Sequence, residues 1–302
     1  MRRAETSFEK YMKIRQMTIK QVVCFLRIKN LLATSVSCHI CSEKMVDRQR
    51  RTVDGLCWVC DNSICPFYRN TKSIRIGSFF EGFRLPLADV FAIVILWTES
   101  KQVKDIVSDY GFGKNTIVNV FDKLRAVVKD FYDKDVVRLG GPGKICQIDE
   151  SQFVHKIKHH RGRVPSSDVW VFGIADTSYS PARCYMEIVP NRSANTLLPI
   201  IQRICRPGTI IHSDGWAAYA GIKNELGFEH KIVNHKQNFV DPISGTHTQN
   251  IESFWNKMKR VIKSMNGISK QQLPGLLAEL MFKDEYKDNT LLGLVSLLKS
   301  NK

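Results

Sequence analysis

The order of short apolar runs and amphipathic segments between residues 145 and 264 constrains the fold most. Three consecutive strands are predicted, in KICQIDES, VWVFGIAD and RCYMEIVP. Helices and strands are then predicted to alternate, through NTLLPIIQRIC (with Asn195 as N-cap), GTIIHSD, WAAYAGIKNELG and HKIVNH. Residues 247–264 predict a long amphipathic helix. This order predicts an α/β domain and matches that of the ribonuclease H fold, which by itself fixes no function.

Five of the nine cysteines lie between Cys38 and Cys65. The odd total and the clustering favour an intracellular metal site over a disulfide framework. Cys38 and Cys41 form a CxxC pair, which lets two thiolates meet on one tetrahedral ion. The second pair is either Cys57 with Cys60 or Cys60 with Cys65, and spacing alone favours the former. We expect a zinc ribbon whose folding free energy comes from the metal.

A helical segment follows, and residues 101–129 are similar to a helix-turn-helix. Gly111 and Gly113 supply the turn, and Lys114 and Asn115 open the second helix. The opening residues of such a helix reach base edges in the major groove of DNA. The alternative is an ordinary helical hairpin that packs on the core.

Three acidic residues stand out by their context. Asp149 ends the strand ICQID, Asp214 ends TIIHSD, and Glu252 lies on the late helix NIESFWNKMKR. Carboxylates held close together repel unless cations lie between them. Oxygen ligands of this kind suit Mg²⁺ or Mn²⁺. Two such ions, roughly 3.5–4 Å apart, can clamp the attacking and leaving oxygens of a phosphodiester displacement.

Neighbouring residues leave alternatives open. Glu150 follows Asp149, and because successive strand residues face opposite sides, only one of the two can point into a site. Asp176 also ends a strand, but it precedes the turn TSYS and is expected to be structural. Lys259 shares a helix face with Glu252 at i+7, so it points either towards DNA or simply into solvent.

The formal net charge of +16 favours a polyanionic partner such as DNA. Residues 155–163, HKIKHHRGR, are a candidate DNA-facing loop or else a solvated hairpin. Its cationic residues are Lys156, Lys158, Arg161 and Arg163. The N-terminal residues lack the apolar core of a signal peptide. The apolar run Val90 to Trp97 is too short to cross a bilayer, so we expect a soluble protein in a reducing compartment.

Longer motifs occur together and in a fixed order. They are QIDESQF, WVFGIAD, IIHSDGWAAY and GTHTQNIESFWNKMK, with WVCDNSIC and SIRIGSFFEGFRLPL before them. Over roughly residues 20–285 the chain resembles Merlin-type DNA transposases and their bacterial insertion-sequence relatives. Each motif alone is weak, but the set is specific.

The resemblance implies a DDE transposase that cleaves DNA at element ends and joins those ends to target DNA. Its catalytic residues, which are also the ligands of two Mg²⁺ or Mn²⁺ ions, would be Asp149, Asp214 and Glu252. The structural Zn²⁺ would be held by Cys38, Cys41, Cys60 and Cys65, with Cys57 as an extra thiol that could substitute. The implied partners are terminal-repeat DNA and target DNA, bound by a homo-oligomer, in the nucleus if the host is eukaryotic.

We therefore expect five parts along the chain. They are a helical segment over 1–35, a zinc ribbon over 36–70, a helical, helix-turn-helix-like region over 71–140, a ribonuclease H-like catalytic domain over 141–285, and a C-terminal tail over 286–302. Two rivals remain: a nuclease of the same fold that only hydrolyses DNA, and a host-adopted or inactive transposase-derived protein that binds DNA without cutting it.

Overall fold

A computed structural model describes residues 7–134, 137–153, 169–233, 240–242 and 245–299. The chain forms two compact units. The first comprises Met1–Val127 with Asp288–Lys302, and the second comprises Val128–Lys287. Within the described ranges, no helix is both long enough and apolar enough to cross a membrane.

The helices are, in chain order, α1 (Ser7–Gln16), α2 (Ile19–Ile28), α3 (Leu87–Thr98), α4 (Val103–Tyr110), α5 (Lys114–Lys134), α6 (Ala194–Ile204), α7 (Gly221–Asn224), α8 (Gln249–Ser264), α9 (Leu273–Tyr286) and α10 (Thr290–Leu297). The strands are β1 (Val46–Gln49), β2 (Leu56–Val59), β3 (Thr71–Ser73), β4 (Ile145–Phe153), β5 (Val169–Asp176), β6 (Arg183–Val189), β7 (Ile210–Ser213) and β8 (Glu229–Ile232). Short 3₁₀ turns lie at Ala217–Tyr219 and Lys287–Asn289.

The first unit combines a small antiparallel sheet, in the order β1-β2-β3, with helices around α3. A buried ion pair holds the sheet to the segment that precedes α3. The Arg75 guanidinium donates to both carboxylate oxygens of Asp54, at 2.6 and 2.5 Å, and also to the carbonyl oxygens of Phe83 and Leu85. Because every buried charge here meets an opposite charge or a carbonyl, the cost of its desolvation is offset.

The second unit is built on a five-stranded sheet in the order β6-β5-β4-β7-β8. β4 pairs antiparallel with β5, and β5 with β6, whereas β7 is parallel to both β4 and β8. The mixed α/β architecture and the strand–helix order are as expected from the apolar pattern. The segment WAAYAGIKNELG differs, since it forms a 3₁₀ turn and the short α7 instead of one helix.

The N-cap of α6 also differs from the prediction, because it is Ser193 and not Asn195. Ser193 has the extended backbone of a cap residue, with φ −79° and ψ 156°. Asn191 accepts a hydrogen bond from the Ser193 N–H at 3.0 Å and so fixes the entry of the chain two residues before α6.

Gly173 lets α8 lie close against the centre of the sheet. It lies opposite Asp149 in the β4–β5 register. A Cβ atom at this position would lie 2.7 Å from Ile251 Cδ1 and 2.7 Å from two ring carbons of Trp255. Both of these α8 side chains are buried. Because Gly173 has no side chain, the Ile251 and Trp255 side chains of α8 can pack directly on the strand backbone.

We expect Gly173→Ala to lower the free energy of unfolding by about 1–3 kcal/mol, because the rigid Trp255 indole must move to admit a methyl group. Urea denaturation monitored by circular dichroism measures the change. Gly215→Ala is the matched control, since a Cβ there would meet only Ile232 Cγ2, at 3.9 Å. Equal stability of Gly173→Ala and the parent would show that α8 does not need this close approach.

Candidate active site and cysteine cluster

Asp149 and Asp214 lie at corresponding positions of two neighbouring parallel strands. The register pairs Ile145 with Ile210 and Gln147 with His212. Asp149 comes two residues after Gln147 and lies within β4, which continues to Phe153 and does not end at Asp149 as predicted, because β5 pairs along its whole length. Asp214 comes two residues after His212, just beyond the end of β7. The pairing thus carries both carboxylates to the same level of the sheet, and the charge of Asp214 acts on Asp149.

A tryptophan from α8 holds the first of these carboxylates. Trp255 Nε1 donates a hydrogen bond to Asp149 Oδ2 at 3.0 Å. Burial raises the pKa of Asp149 to about 7, and the negative charges of Glu150 and Asp214 act in the same direction. A carboxylate in this environment favours either a proton or a nearby cation.

Glu252 lies one helical turn before Trp255, in the first turn of α8. The Thr248 hydroxyl donates to Glu252 Oε1 at 2.8 Å. The α8 helix packs on β4 and β5, so Glu252 belongs to the element that covers Asp149. Among the described His, Cys, Asp and Glu side chains, however, the three carboxylates are not gathered closely enough to form a metal-holding group, whereas four cysteines are.

Glu150 faces the other side of β4. Its side chain is fully buried and accepts hydrogen bonds from the Tyr219 hydroxyl at 2.7 Å and from Arg192 Nη2 at 3.3 Å. Burial raises the pKa of Glu150, while Tyr219 and Arg192 oppose that shift. The alternation predicted for the two acidic neighbours is therefore present, with Asp149 on the α8 side.

Gln147 was not singled out by sequence reasoning, although it joins β4 to α8. Its Oε1 accepts from the backbone N–H of Asn250 at 2.8 Å and of Ile251 at 3.3 Å. Its Nε2 lies 3.1 Å from His247 Nδ1. These contacts satisfy two of the N–H groups that the start of a helix leaves without helical partners. The available signal was a polar residue inside an apolar strand, on the same face as Asp149.

Asp176 has the structural contacts expected of it. It is buried, and its Oδ2 accepts from the Gly140 N–H at 2.7 Å. Its Oδ1 accepts from the N–H and the hydroxyl of Ser178, at 2.9 and 2.6 Å. The side chain closes the turn that follows β5.

The predicted DNA-contacting residues lie in several places. Lys114 and Asn115 are exposed at the start of α5, and Gly111, with φ +72°, ends α4 in the left-handed conformation. Lys259 is exposed, and its Nζ lies 5.9 Å from the centre of the Phe153 ring. The loop residues Lys156, Lys158, Arg161 and Arg163 lie outside the described part of the chain.

The four cysteines Cys38, Cys41, Cys60 and Cys65 form a cluster that could hold zinc. Their sulfur atoms all lie within 4.8 Å of one another, with 4.0 Å between Cys38 and Cys65 and 3.8 Å between Cys41 and Cys60. Tetrahedral thiolates about 2.3 Å from one Zn²⁺ would be about 3.8 Å apart, so the arrangement fits. The backbone N–H groups of Cys41 and Ile40 lower the pKa of Cys38 to about 6, which favours the thiolate.

Cys57, which residue spacing alone favoured, is not in this cluster. It lies within β2, paired with Arg48 on one side and Ser73 on the other, and it is buried. Burial raises the pKa of its thiol, as expected for a core cysteine. The cysteine set implied by the family resemblance is the one that the fold brings together.

The region that carries the carboxylates is similar to a known domain. Residues 141–285 match the ISXO2-like transposase domain. An "Uncharacterized transposase-like protein" of Haemophilus influenzae (strain ATCC 51907 / DSM 11121 / KW20 / Rd) is 29% identical over 117 residues, which are 39% of this chain and 91% of that protein. The matched domain contains Asp149, Asp214 and Glu252, and both matches are to transposase or transposase-like sequences.

Two solved structures are also similar. One is a cryo-electron microscopy structure of the simian T-cell lymphotropic virus intasome in complex with PP2A regulatory subunit B56 gamma, at 15% identity and TM-score 0.31, covering 62% of this chain and 66% of that one. The other is a crystal structure of a pre-cleavage Mos1 transpososome, at 9% identity and TM-score 0.28, covering 70% and 75%.

We expect natively purified protein to contain about one zinc ion per chain, because four cysteine sulfurs are already close to tetrahedral spacing. Cys65→Ser should lose the metal and unfold the module around it. Cys57→Ser is the matched control and should keep both, since Cys57 lies outside the cluster. Elemental analysis measures the metal. Loss of zinc from Cys57→Ser but not from Cys65→Ser would reverse the assignment.

Asp149→Asn should change how stability depends on pH. Burial raises the pKa of Asp149 from its usual 3.8 to about 7. The parent therefore loses free energy of unfolding as the pH rises through this interval, because the carboxyl ionises in the unfolded chain while burial keeps it protonated in the folded protein. Asparagine does not ionise and still accepts the Trp255 hydrogen bond.

The stability difference, variant minus parent, should thus grow in favour of the variant from pH 3.8 to about 7, without added divalent cation. Urea denaturation at a series of pH values measures it. Glu229→Gln, which removes an exposed carboxylate, should give a nearly constant difference. A constant difference for Asp149→Asn as well would contradict the raised pKa.

Proposed function

We propose that this chain is a Merlin-type DDE transposase, which cleaves DNA at transposon ends and joins those ends to target DNA. The observation that carries the proposal is the placement of Asp149, within β4, and of Asp214, just beyond β7, at matching levels of neighbouring parallel strands, inside a region that matches a transposase domain. The sheet order β6-β5-β4-β7-β8, with a helix across β4, supports a ribonuclease H-like catalytic domain.

Asp149, Asp214 and Glu252 are the proposed ligands of two Mg²⁺ or Mn²⁺ ions. Their oxygen donors suit these ions. Burial and the charges of Glu150 and Asp214 raise the pKa of Asp149, and a bound cation would offset this cost of ionisation. When bound, such ions activate the attacking oxygen and stabilise the leaving oxygen.

The protein's own groups orient each ligand before the reaction. Trp255 Nε1 holds Asp149, the Thr248 hydroxyl holds Glu252, and the Trp216 N–H donates to Asp214 Oδ1 at 3.0 Å. Each donor fixes one carboxylate oxygen and so limits the rotation of the side chain. Such preorganisation lowers the entropic cost of reaching the transition state.

The proposed chemistry has two displacements at phosphorus. In the first, a water oxygen bonds to the phosphorus at the transposon end, and the 3′-oxygen leaves as a hydroxyl. In the second, this 3′-hydroxyl attacks a target phosphodiester, and the target's own 3′-oxygen leaves. Neither step forms a covalent bond to the enzyme, so the work of the site is positioning and charge stabilisation.

DNA is the proposed partner, in the form of terminal repeats and target. The net charge of +16 supports binding to a polyanion. The exposed start of α5 would contact bases in the major groove, and Lys259 would contact the backbone near the carboxylates. The cysteine module would act as a zinc ribbon. We further propose a homo-oligomeric active complex and, in a eukaryotic host, action in the nucleus.

A second candidate is a host-adopted or inactive descendant that binds DNA without cutting it. One observation favours this candidate. The four cysteines lie close enough together to hold a metal ion, whereas the three carboxylates do not. This candidate predicts tight DNA binding and no cleavage with Mg²⁺ or Mn²⁺.

Asp149→Asn, Asp214→Asn and Glu252→Gln should each lower end cleavage and strand transfer by orders of magnitude while the fold survives. Each removes one negative charge and little volume, and the metal site loses a ligand. The measurement is cleavage of labelled terminal-repeat DNA with Mg²⁺ and joining to an unlabelled target, with circular dichroism to monitor folding. The joining product also separates a transposase from a nuclease that only hydrolyses.

Two controls sharpen this test. Glu229→Gln removes an exposed carboxylate from the same unit and should cleave like the parent. Glu150→Gln keeps an oxygen that can accept from Tyr219 and should retain substantial activity. Parent-like cleavage by Asp214→Asn or Glu252→Gln would refute the DDE assignment. An inactive Glu150→Gln beside an active Asp149→Asn would move the first ligand by one residue.

A further inference from the structure

Trp216 is an exposed aromatic residue placed two positions after Asp214. The residue is 40% exposed, although a tryptophan gains more than most residues from burial. Its backbone N–H donates to Asp214 Oδ1 at 3.0 Å, which ties its position to that carboxylate. An exposed aromatic residue therefore has its backbone bonded to a proposed ligand of the reacting centre.

Arg192 packs against one face of the Trp216 indole. The Arg192 guanidinium carbon lies 4.2 Å from the centre of the Trp216 ring and 4.6 Å from that of Trp170. Trp216 Nε1 donates to the Arg192 carbonyl oxygen at 3.1 Å. Arg192 in turn reaches the buried Glu150 at 3.3 Å. The indole N–H is thus satisfied within the protein, and the arginine covers one face of the ring.

The remaining surface of Trp216 is apolar, flat and fixed. Such a surface suits stacking with a flat aromatic ring. Asp214, two residues away, is where DNA is proposed to react. Every nucleobase has an aromatic face, so stacking on a tryptophan does not depend on sequence. In an intact duplex those faces are covered by the adjacent base pairs. Only an unpaired or extruded base can offer one to the protein.

We propose that Trp216 is a stacking platform for one unpaired nucleobase beside the reacting phosphate, supported from behind by Arg192. The proposal deepens the transposase assignment and rests on it for the location of the reacting DNA. The positive charge of Arg192 is paired with Glu150, so the platform binds the base through its ring and not through a phosphate. Opening of the duplex at the element end would supply the base.

The test is a double-mutant cycle between protein and DNA. The probes are labelled element-end duplexes, each with one abasic site, scanned across about five positions on either side of the cleaved phosphate. Binding is measured for the parent, Trp216→Ala and Trp216→Phe, and cleavage with Mg²⁺ is measured in parallel. Tyr179→Ala is the control, since Tyr179 is also exposed but lies in the turn after β5.

At one position, removal of the base should weaken binding to the parent by roughly 5- to 150-fold. The same abasic site should cost Trp216→Ala almost nothing, because the stacking partner is already absent. Trp216→Phe keeps a ring but loses the indole N–H, so it should keep most of the effect. If phenylalanine behaved like alanine, the bond to the Arg192 carbonyl would be the important feature, and the platform would be refuted.

If each abasic site weakened binding equally in the parent and in Trp216→Ala, the platform would also be refuted. This holds even if the parent cleaves the DNA. A parent that binds but never cleaves would instead refute the transposase proposal, while the binding cycle would still decide the platform. A parent that binds none of the duplexes would refute both.

Discussion

The parallel pairing of β4 with β7 is the constraint on which the candidate site depends. It places Asp149 and Asp214 at the same level of the sheet, although 64 residues separate them in the sequence. A slip of one residue in β4 would exchange Asp149 and Glu150 between the two faces. The ladder pairs Ile145 with Ile210 and Gln147 with His212, and this register sets the face on which each acidic residue lies.

The second requirement is close contact between α8 and this sheet. Gln147 bonds the first N–H groups of the helix, and Gly173 leaves space for its buried side chains. Trp255 then reaches Asp149, and Glu252 follows from the helical repeat one turn earlier. The space at Gly173, the Gln147 cap and the Trp255 hydrogen bond thus together position the Asp149 carboxylate. Preorganised sites of this kind need such a supporting layer.

Much of this arrangement could be predicted from sequence, because it is local. Apolar periodicity gave the strand–helix order, and alternation along β4 separated Asp149 from Glu150. Spacing failed for Cys57, since counting residues does not tell whether a cysteine lies in a strand or in a loop. Cys57 is within β2, whereas Cys60 and Cys65 follow that strand. The contacts of Tyr219 and Arg192 with Glu150 join distant segments and leave no periodic signal.

Adjacent residues of β4 show how one strand can hold two carboxylates that have different partners on its two faces. Glu150 meets a cation and a hydroxyl on its face, so its charge is neutralised within the protein. Asp149 meets a neutral indole N–H, and burial, together with the negative charges of Glu150 and Asp214, raises its pKa. A buried negative charge with neutral donors and anionic neighbours is destabilising unless a cation joins it. The fold thus compensates Glu150 with Arg192, whereas burial and two anionic neighbours shift Asp149 towards its protonated form.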